Sequence, residues 1–77
     1  MAQRVPLHTL SAYFAARVLS YLYPAYENEL QRRAMMVADS RIAEGVHFKS
    51  DNMFSFSLVD NLLMPAFVSA YDKAANN

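Results

Sequence analysis

The chain has 77 residues, no cysteine, and seven basic residues balanced by seven acidic ones. Its length fits one small domain, the lack of cysteine excludes disulfides and thiolate chemistry, and the balanced charge argues against nucleic acid as a partner. Hydrophobic residues make up 55% of the sequence. We therefore expect apolar surface that needs a partner, a second copy of the chain, or a missing part of a larger protein.

Two apolar runs were considered as targeting or membrane segments. Arg17 interrupts the first run, and residues 23–26 are a poor match to a cleavage site, so no signal peptide is predicted. The second run, residues 53–71, approaches the length of a membrane span but contains Asp60 and Pro65. We predict a soluble protein with no membrane span.

The first predicted helix covers residues 10–22. Its apolar positions recur every four residues, at Leu10, Phe14, Val18 and Leu22. Thr9 or Ser11 is suited to cap its start, and Pro24 ends it.

The second predicted helix covers residues 25–44. Glu27 and Glu29 lie near its start, where the helix dipole favours acidic residues, and Gly45 follows its end. The predicted inward stripe contains Leu30, Ala34, Val37 and Arg41. Because an unpaired buried charge is costly, an inward Arg41 needs an anion.

Residues 45–49 form a predicted loop before a third helix over residues 51–64. Ser50 or Asp51 can cap this helix. The predicted core stripe is Phe54, Leu58 and Leu62.

Pro65 is expected to break the pattern and to begin a short last helix that ends near Lys73. No run indicates a strand. The prediction is a single all-α domain over residues 1–77, with three main helices and a short C-terminal helix, forming part of a larger helical bundle.

Three residues around the loop suggest phosphoryl chemistry. The imidazole of His47 suits nucleophilic or proton-transfer chemistry, and Asp51, four residues later, can orient it. Arg41 offers a planar fork of donors that matches phosphate. Taken singly, each residue has an ordinary interpretation: a helix-end arginine, a loop histidine and a helix cap.

The spacing of these residues resembles a known motif. Ser40-Arg41, five residues, His47, three residues and Asp51 resemble the last signature motif of the phosphatidic acid phosphatase type 2 and vanadium haloperoxidase superfamily. The likeness is strongest to the bacterial class A non-specific acid phosphatases. It extends upstream to His8-Thr9 and covers residues 8–51.

The resemblance implies hydrolysis of phosphate monoesters in the periplasm, with no metal or other cofactor. His47 would be the phosphorylated nucleophile and Asp51 its orienting partner. Arg41 and Ser40 would bind phosphate, and His8 would protonate the leaving alcohol. The haloperoxidase relatives hold vanadate in the same pocket, which makes a vanadate-dependent enzyme a further alternative.

Two departures weaken the expected site. Val5-Pro6-Leu7 stand where the family has Pro-Ser-Gly before the histidine, and the family's earlier Lys and Arg-Pro motif has no counterpart. The chain therefore resembles the C-terminal half of an acid phosphatase, with an incomplete site. The alternative is a non-catalytic helical remnant or interaction module that self-associates through an exposed apolar face.

Overall fold

The computed structural model describes residues 7–43, 45 and 49–76, with only the backbone of Arg41. Every regular element in this part of the chain is helical. The elements are α1 (Leu7–Leu22), a 3-10 turn (Pro24–Tyr26), α2 (Glu27–Ala43), α3 (Lys49–Leu58), a π-helical turn (Val59–Leu63) and α4 (Met64–Ala75). The predicted all-α fold class is confirmed.

Helix α1 begins earlier than predicted. It starts at Leu7 rather than at Leu10, so Thr9 lies within the helix and is buried. The Thr9 hydroxyl donates a hydrogen bond to a residue of α3. The prediction that Thr9 caps the helix is therefore wrong, since its side chain serves a contact between helices.

Pro24 separates the first two helices, as predicted. It begins the 3-10 turn, in which the Tyr26 N–H donates to the carbonyl of Tyr23 at 3.0 Å. Because this tight turn occupies three residues, α2 starts at Glu27 and not at the predicted residue 25. Glu27 and Glu29 lie in its first turn, where the helix dipole favours them.

Gly45 follows the end of α2 in a left-handed conformation, with φ of 73°. Its N–H donates to the carbonyl of Ile42 at 2.9 Å and so satisfies one free carbonyl at the helix end. This conformation strains residues that carry a Cβ, which explains why glycine stands here.

The buried face of α2 differs from the predicted stripe. Ala34 and Ala38 are almost completely buried, whereas Val37 is 37% exposed. The face follows four-residue spacing from Leu30 through the two alanines, whose small side chains allow close packing of helices. The predicted inward position of Val37 is wrong, and the Arg41 side chain lies outside the described part.

The C-terminal third forms one continuous helix, Lys49–Ala75, called the long helix below. It includes α3, the π-helical turn and α4. Pro65 does not break it, contrary to the prediction. In the π turn the Met64 N–H donates to the carbonyl of Val59, five residues back. This wider turn accommodates a proline that has no N–H and would crowd a regular turn.

The long helix buries a different face from the predicted one. Phe54 is 41% exposed and Leu62 is 59% exposed, while Leu58 is half-buried. The predicted core stripe is therefore wrong. The face turned to the rest of the molecule carries Asn52, Ser55, Val59 and Met64.

Helix α1 lies at the centre of the fold, packed against both α2 and the long helix. The buried apolar core is small and consists of Tyr13, Ala16, Ala34, Val59 and Met64. The ring of Tyr13 packs on that of Phe56, with centroids 4.7 Å apart. So small a core leaves many large apolar side chains exposed.

The long helix is long and apolar enough to cross a bilayer. Core helices of soluble proteins also meet this criterion of length and composition. Asp60 lies near its middle, where a charge is costly in lipid. The absence of a membrane span stays a prediction.

Candidate functional site

One buried side chain joins the three main helices at one end of the molecule. Asn52, in the first turn of α3, is 2% exposed. Its Oδ1 accepts a hydrogen bond from the Thr9 hydroxyl of α1 at 3.0 Å. Its Nδ2 donates to the Ala38 carbonyl of α2 at 3.1 Å. Asn52 therefore holds the start of α1, the later part of α2 and the start of α3 together.

This network brings together the segments that carry the sequence-predicted site. His8 directly precedes Thr9, Asp51 directly precedes Asn52, and Ser40 follows two residues after Ala38. His8 and Asp51, which are 43 positions apart like their neighbours Thr9 and Asn52, thus lie on segments that are hydrogen-bonded to each other. Ser40 lies two residues beyond the Ala38 carbonyl that Asn52 binds.

The structure describes the individual site residues only in part. His8 and Ser40 are exposed, and Asp51 is half-buried. Arg41 has a helical backbone, but its side chain lies outside the described part, as does all of His47. The chemical roles of these five residues stay predictions.

Metal-binding chemistry was sought in the same part of the chain. Over residues 7–43, 45 and 49–76, no group of three or more histidine, cysteine or acidic side chains is placed to hold an ion.

A second polar cluster was not predicted from the sequence. The Tyr13 hydroxyl lies 3.0 and 2.9 Å from the two carboxylate oxygens of Asp60. Arg17 Nε lies 3.4 Å from Asp60 Oδ1. Tyr13 and Arg17 share a face of α1 because they are four residues apart. Nothing in the sequence pairs them with Asp60, which is over 40 residues away.

The electrostatics of this cluster follow from its burial. Desolvation raises the pKa of Tyr13, and the hydrogen bond to the negative Asp60 raises it further, while the charge of Arg17 opposes the change. Arg17 Nε is buried without a hydrogen bond, so its attraction to Asp60 is an ion pair at longer range. The cluster ties α1 to the π turn.

An open groove of about 740 Å³ runs beside the cluster. Arg17 and Asp60 form part of one wall, and Met64 and Val68 supply apolar lining. Arg17 is eight residues beyond Thr9 on α1, or about 12 Å along the helix. Of the site residues whose side chains the structure describes, His8, Ser40 and Asp51 do not line the groove.

Comparison of the chain with protein-family models, curated proteins and solved structures finds no match. The resemblance to acid phosphatases therefore depends on the motif from Ser40 to Asp51 and on the upstream residues already named.

The Asn52 network leads to a prediction on stability. Replacement by leucine, Asn52→Leu, leaves the Thr9 hydroxyl and the Ala38 carbonyl buried without this partner. Each unsatisfied group costs about 1–3 kcal/mol, so the free energy of unfolding should fall by at least about 2 kcal/mol. Urea denaturation followed by circular dichroism measures it.

The matched control is Asn28→Leu, at an exposed position of α2. It should change the free energy of unfolding by less than about 0.5 kcal/mol. Equal effects of the two substitutions would contradict the role of Asn52.

The Tyr13 pKa leads to a prediction on pH dependence. Its folded-state pKa is raised above the ordinary value near 10, so folding favours the protonated phenol. This stabilisation is complete below pH of about 10 and is lost as the pH rises through the folded-state pKa. Tyr13→Phe should flatten the loss of stability above pH of about 10, whereas Tyr26→Phe, at an exposed position, should not. Urea midpoints measured across this pH range test it.

Proposed function

We propose that this chain forms a phosphate-binding site of the histidine-nucleophile acid phosphatase type and that it hydrolyses phosphate monoesters. The observation that carries the proposal is the convergence of the helix ends at Asn52, which joins the segments bearing His8, Ser40 and Asp51. The resemblance requires these segments to lie close together, and the hydrogen bonds of Asn52 support that requirement.

The proposed reaction has two steps. A ring nitrogen of His47 attacks phosphorus, forming a P–N bond as the ester P–O bond breaks, and His8 gives a proton to the departing alkoxide. Water then attacks phosphorus and gives a proton to His8 as the P–N bond breaks, which releases inorganic phosphate and restores His47 and His8. Asp51 accepts a hydrogen bond from the second ring nitrogen of His47, and Arg41 with Ser40 binds the phosphoryl oxygens.

Catalysis of this type depends on charge stabilisation and positioning. Arg41 supplies the only arginine of the motif itself, so the proposed site depends on its guanidinium to bind the phosphoryl oxygens. A periplasmic location belongs to the same proposal and is supported by the resemblance alone.

The test is hydrolysis of p-nitrophenyl phosphate by the purified chain. His47→Ala should lower the rate by more than about a thousandfold, because it removes the nucleophile. Arg41→Lys should also lower it, since lysine lacks the planar fork. The control Asn28→Ala lies on an exposed surface of α2 and should leave the rate unchanged.

A phosphorylated histidine should be detectable by mass spectrometry after an alkaline quench, in the unaltered chain and not in His47→Ala. No hydrolysis and no phosphorylated chain would contradict the proposal. A rate that His47→Ala leaves unchanged would contradict the assigned nucleophile.

A second candidate function is a helical module that self-associates. The observation in its favour is the set of large apolar side chains left exposed on the long helix, where Met53 is 61% exposed, Leu62 59% and Phe54 41%. Exposed apolar side chains in such number favour contact with another chain.

Self-association predicts a dimer in solution. Size-exclusion chromatography with light scattering should give twice the single-chain mass of 8.7 kDa, because pairing removes these apolar side chains from water. A single-chain mass at every concentration would contradict this candidate.

A further inference from the structure

The open groove beside Asp60 is separate from the proposed phosphate site. Its walls come from α1, the 3-10 turn, the start of α2, the π turn and the start of α4. Its volume of about 740 Å³ falls within the range of small-molecule sites. The lining is mainly apolar, with Met64, Pro65 and Val68 on the side of α4. An apolar groove with a few polar groups is the usual form of a small-molecule site.

Contacts within the chain hold the walls of this groove in place. The hydroxyl of Tyr21, a lining residue of α1, donates to Asp72 of α4 at 2.6 Å. On the other wall, Asp60 is held by the Tyr13 hydroxyl and by Arg17. A ligand would therefore meet side chains that are already positioned, which reduces the entropy lost on binding.

Among the described residues that line the groove, three are charged. Arg17 pairs with Asp60, since its Nε lies 3.4 Å from Asp60 Oδ1. Glu27, the third, is exposed at the start of α2. One cation and two carboxylates leave the groove with one net negative charge, and Glu27 is the carboxylate that Arg17 does not pair with.

This charge distinguishes between classes of ligand. An anionic ligand would compete with Asp60 for Arg17 and would also meet the carboxylate of Glu27. A neutral ligand would remove water from Glu27 without replacing its hydrogen bonds. An ammonium group brings both the opposite charge and three hydrogen-bond donors. Charge complementarity therefore favours a cation.

We propose that the groove binds a small organic cation, a primary amine with an apolar body. The ammonium group lies at Glu27, and the apolar body lies against Met64 and Val68. The aromatic ring of Tyr21 lines the same groove and adds an attraction for the cation. This site goes beyond the proposed phosphatase activity and uses none of the residues assigned to phosphate.

The first experiment compares three ligands of similar size: phenethylamine, the neutral phenethyl alcohol and the anionic hydrocinnamate. Binding to the full chain at neutral pH is followed by chemical-shift changes of backbone amides in NMR spectra. The amine should bind at least about threefold more tightly than the alcohol, as expected for an ion pair at an exposed carboxylate. The shifted amides should include those of Glu27 and Val68.

Three results of this comparison would overturn the proposal. They are the lack of saturable binding by the amine, binding of the alcohol or the carboxylate that is as tight as that of the amine, and shifts confined to residues outside the groove. Tighter binding of hydrocinnamate would instead assign an anion to Arg17.

The second experiment removes the proposed partner of the ammonium group. Glu27→Gln keeps the shape of the side chain and should weaken phenethylamine binding about threefold. The matched control is Glu29→Gln, which changes the net charge of the chain equally but lies at a different cleft. It should leave binding unchanged, and equal weakening by the two substitutions would contradict the role of Glu27.

The third experiment adds a cation to the groove. Ser69→Lys, at an exposed lining position of α4, should weaken amine binding, whereas Ala66→Lys, exposed on the same helix and outside the lining, should not. Equal effects of the two lysines would trace the binding to the overall charge of the chain and overturn the site. Circular dichroism should show all four variants equally helical. None of these readouts depends on hydrolysis of p-nitrophenyl phosphate.

Discussion

The hydrogen bonds of Asn52 are the interaction on which the arrangement of the helices depends. Helix α1 packs along both neighbours, but α2 and the long helix are tied to each other through the bond from Asn52 to the Ala38 carbonyl. Burial makes these hydrogen bonds necessary. The amide of Asn52 and its partners have lost water, so they can satisfy their hydrogen-bonding groups only with each other. The proposed phosphate site lies on the segments that this one side chain connects.

The π-helical turn determines the course of the long helix. It lets the chain pass Pro65 without ending the helix, and it places Met64, five residues after Val59, on the same buried face. The extra residue in the turn also leaves Leu62 outside the core. One local change in hydrogen bonding therefore accounts both for the continuous helix past Pro65 and for the buried position of Met64.

The two candidate functions use opposite sides of that helix. Asn52 faces the other helices and holds the segments of the phosphate site, while Phe54, two residues later, faces outward. A dimer through the outward face would leave the Asn52 network undisturbed. Catalysis and self-association are therefore compatible in one molecule, and evidence for one would not count against the other.

Local features of the sequence determined the all-α class, the turn at Pro24, the glycine after α2 and the limits of α1 and α2 to within a few residues, because caps, prolines and periodicity act over a single turn. They did not determine the end of the long helix, which continues past Pro65 to Ala75. The sequence also supplied the motif from Ser40 to Asp51. Only the tertiary structure decided which faces are buried. Asn52 and Asp60 are polar, and local periodicity gives no reason for either to face another helix, yet distant partners, Thr9 and Tyr13, make their positions favourable. Such pairings between residues more than 40 positions apart leave no trace in local pattern, and they decide which face of the long helix meets α1.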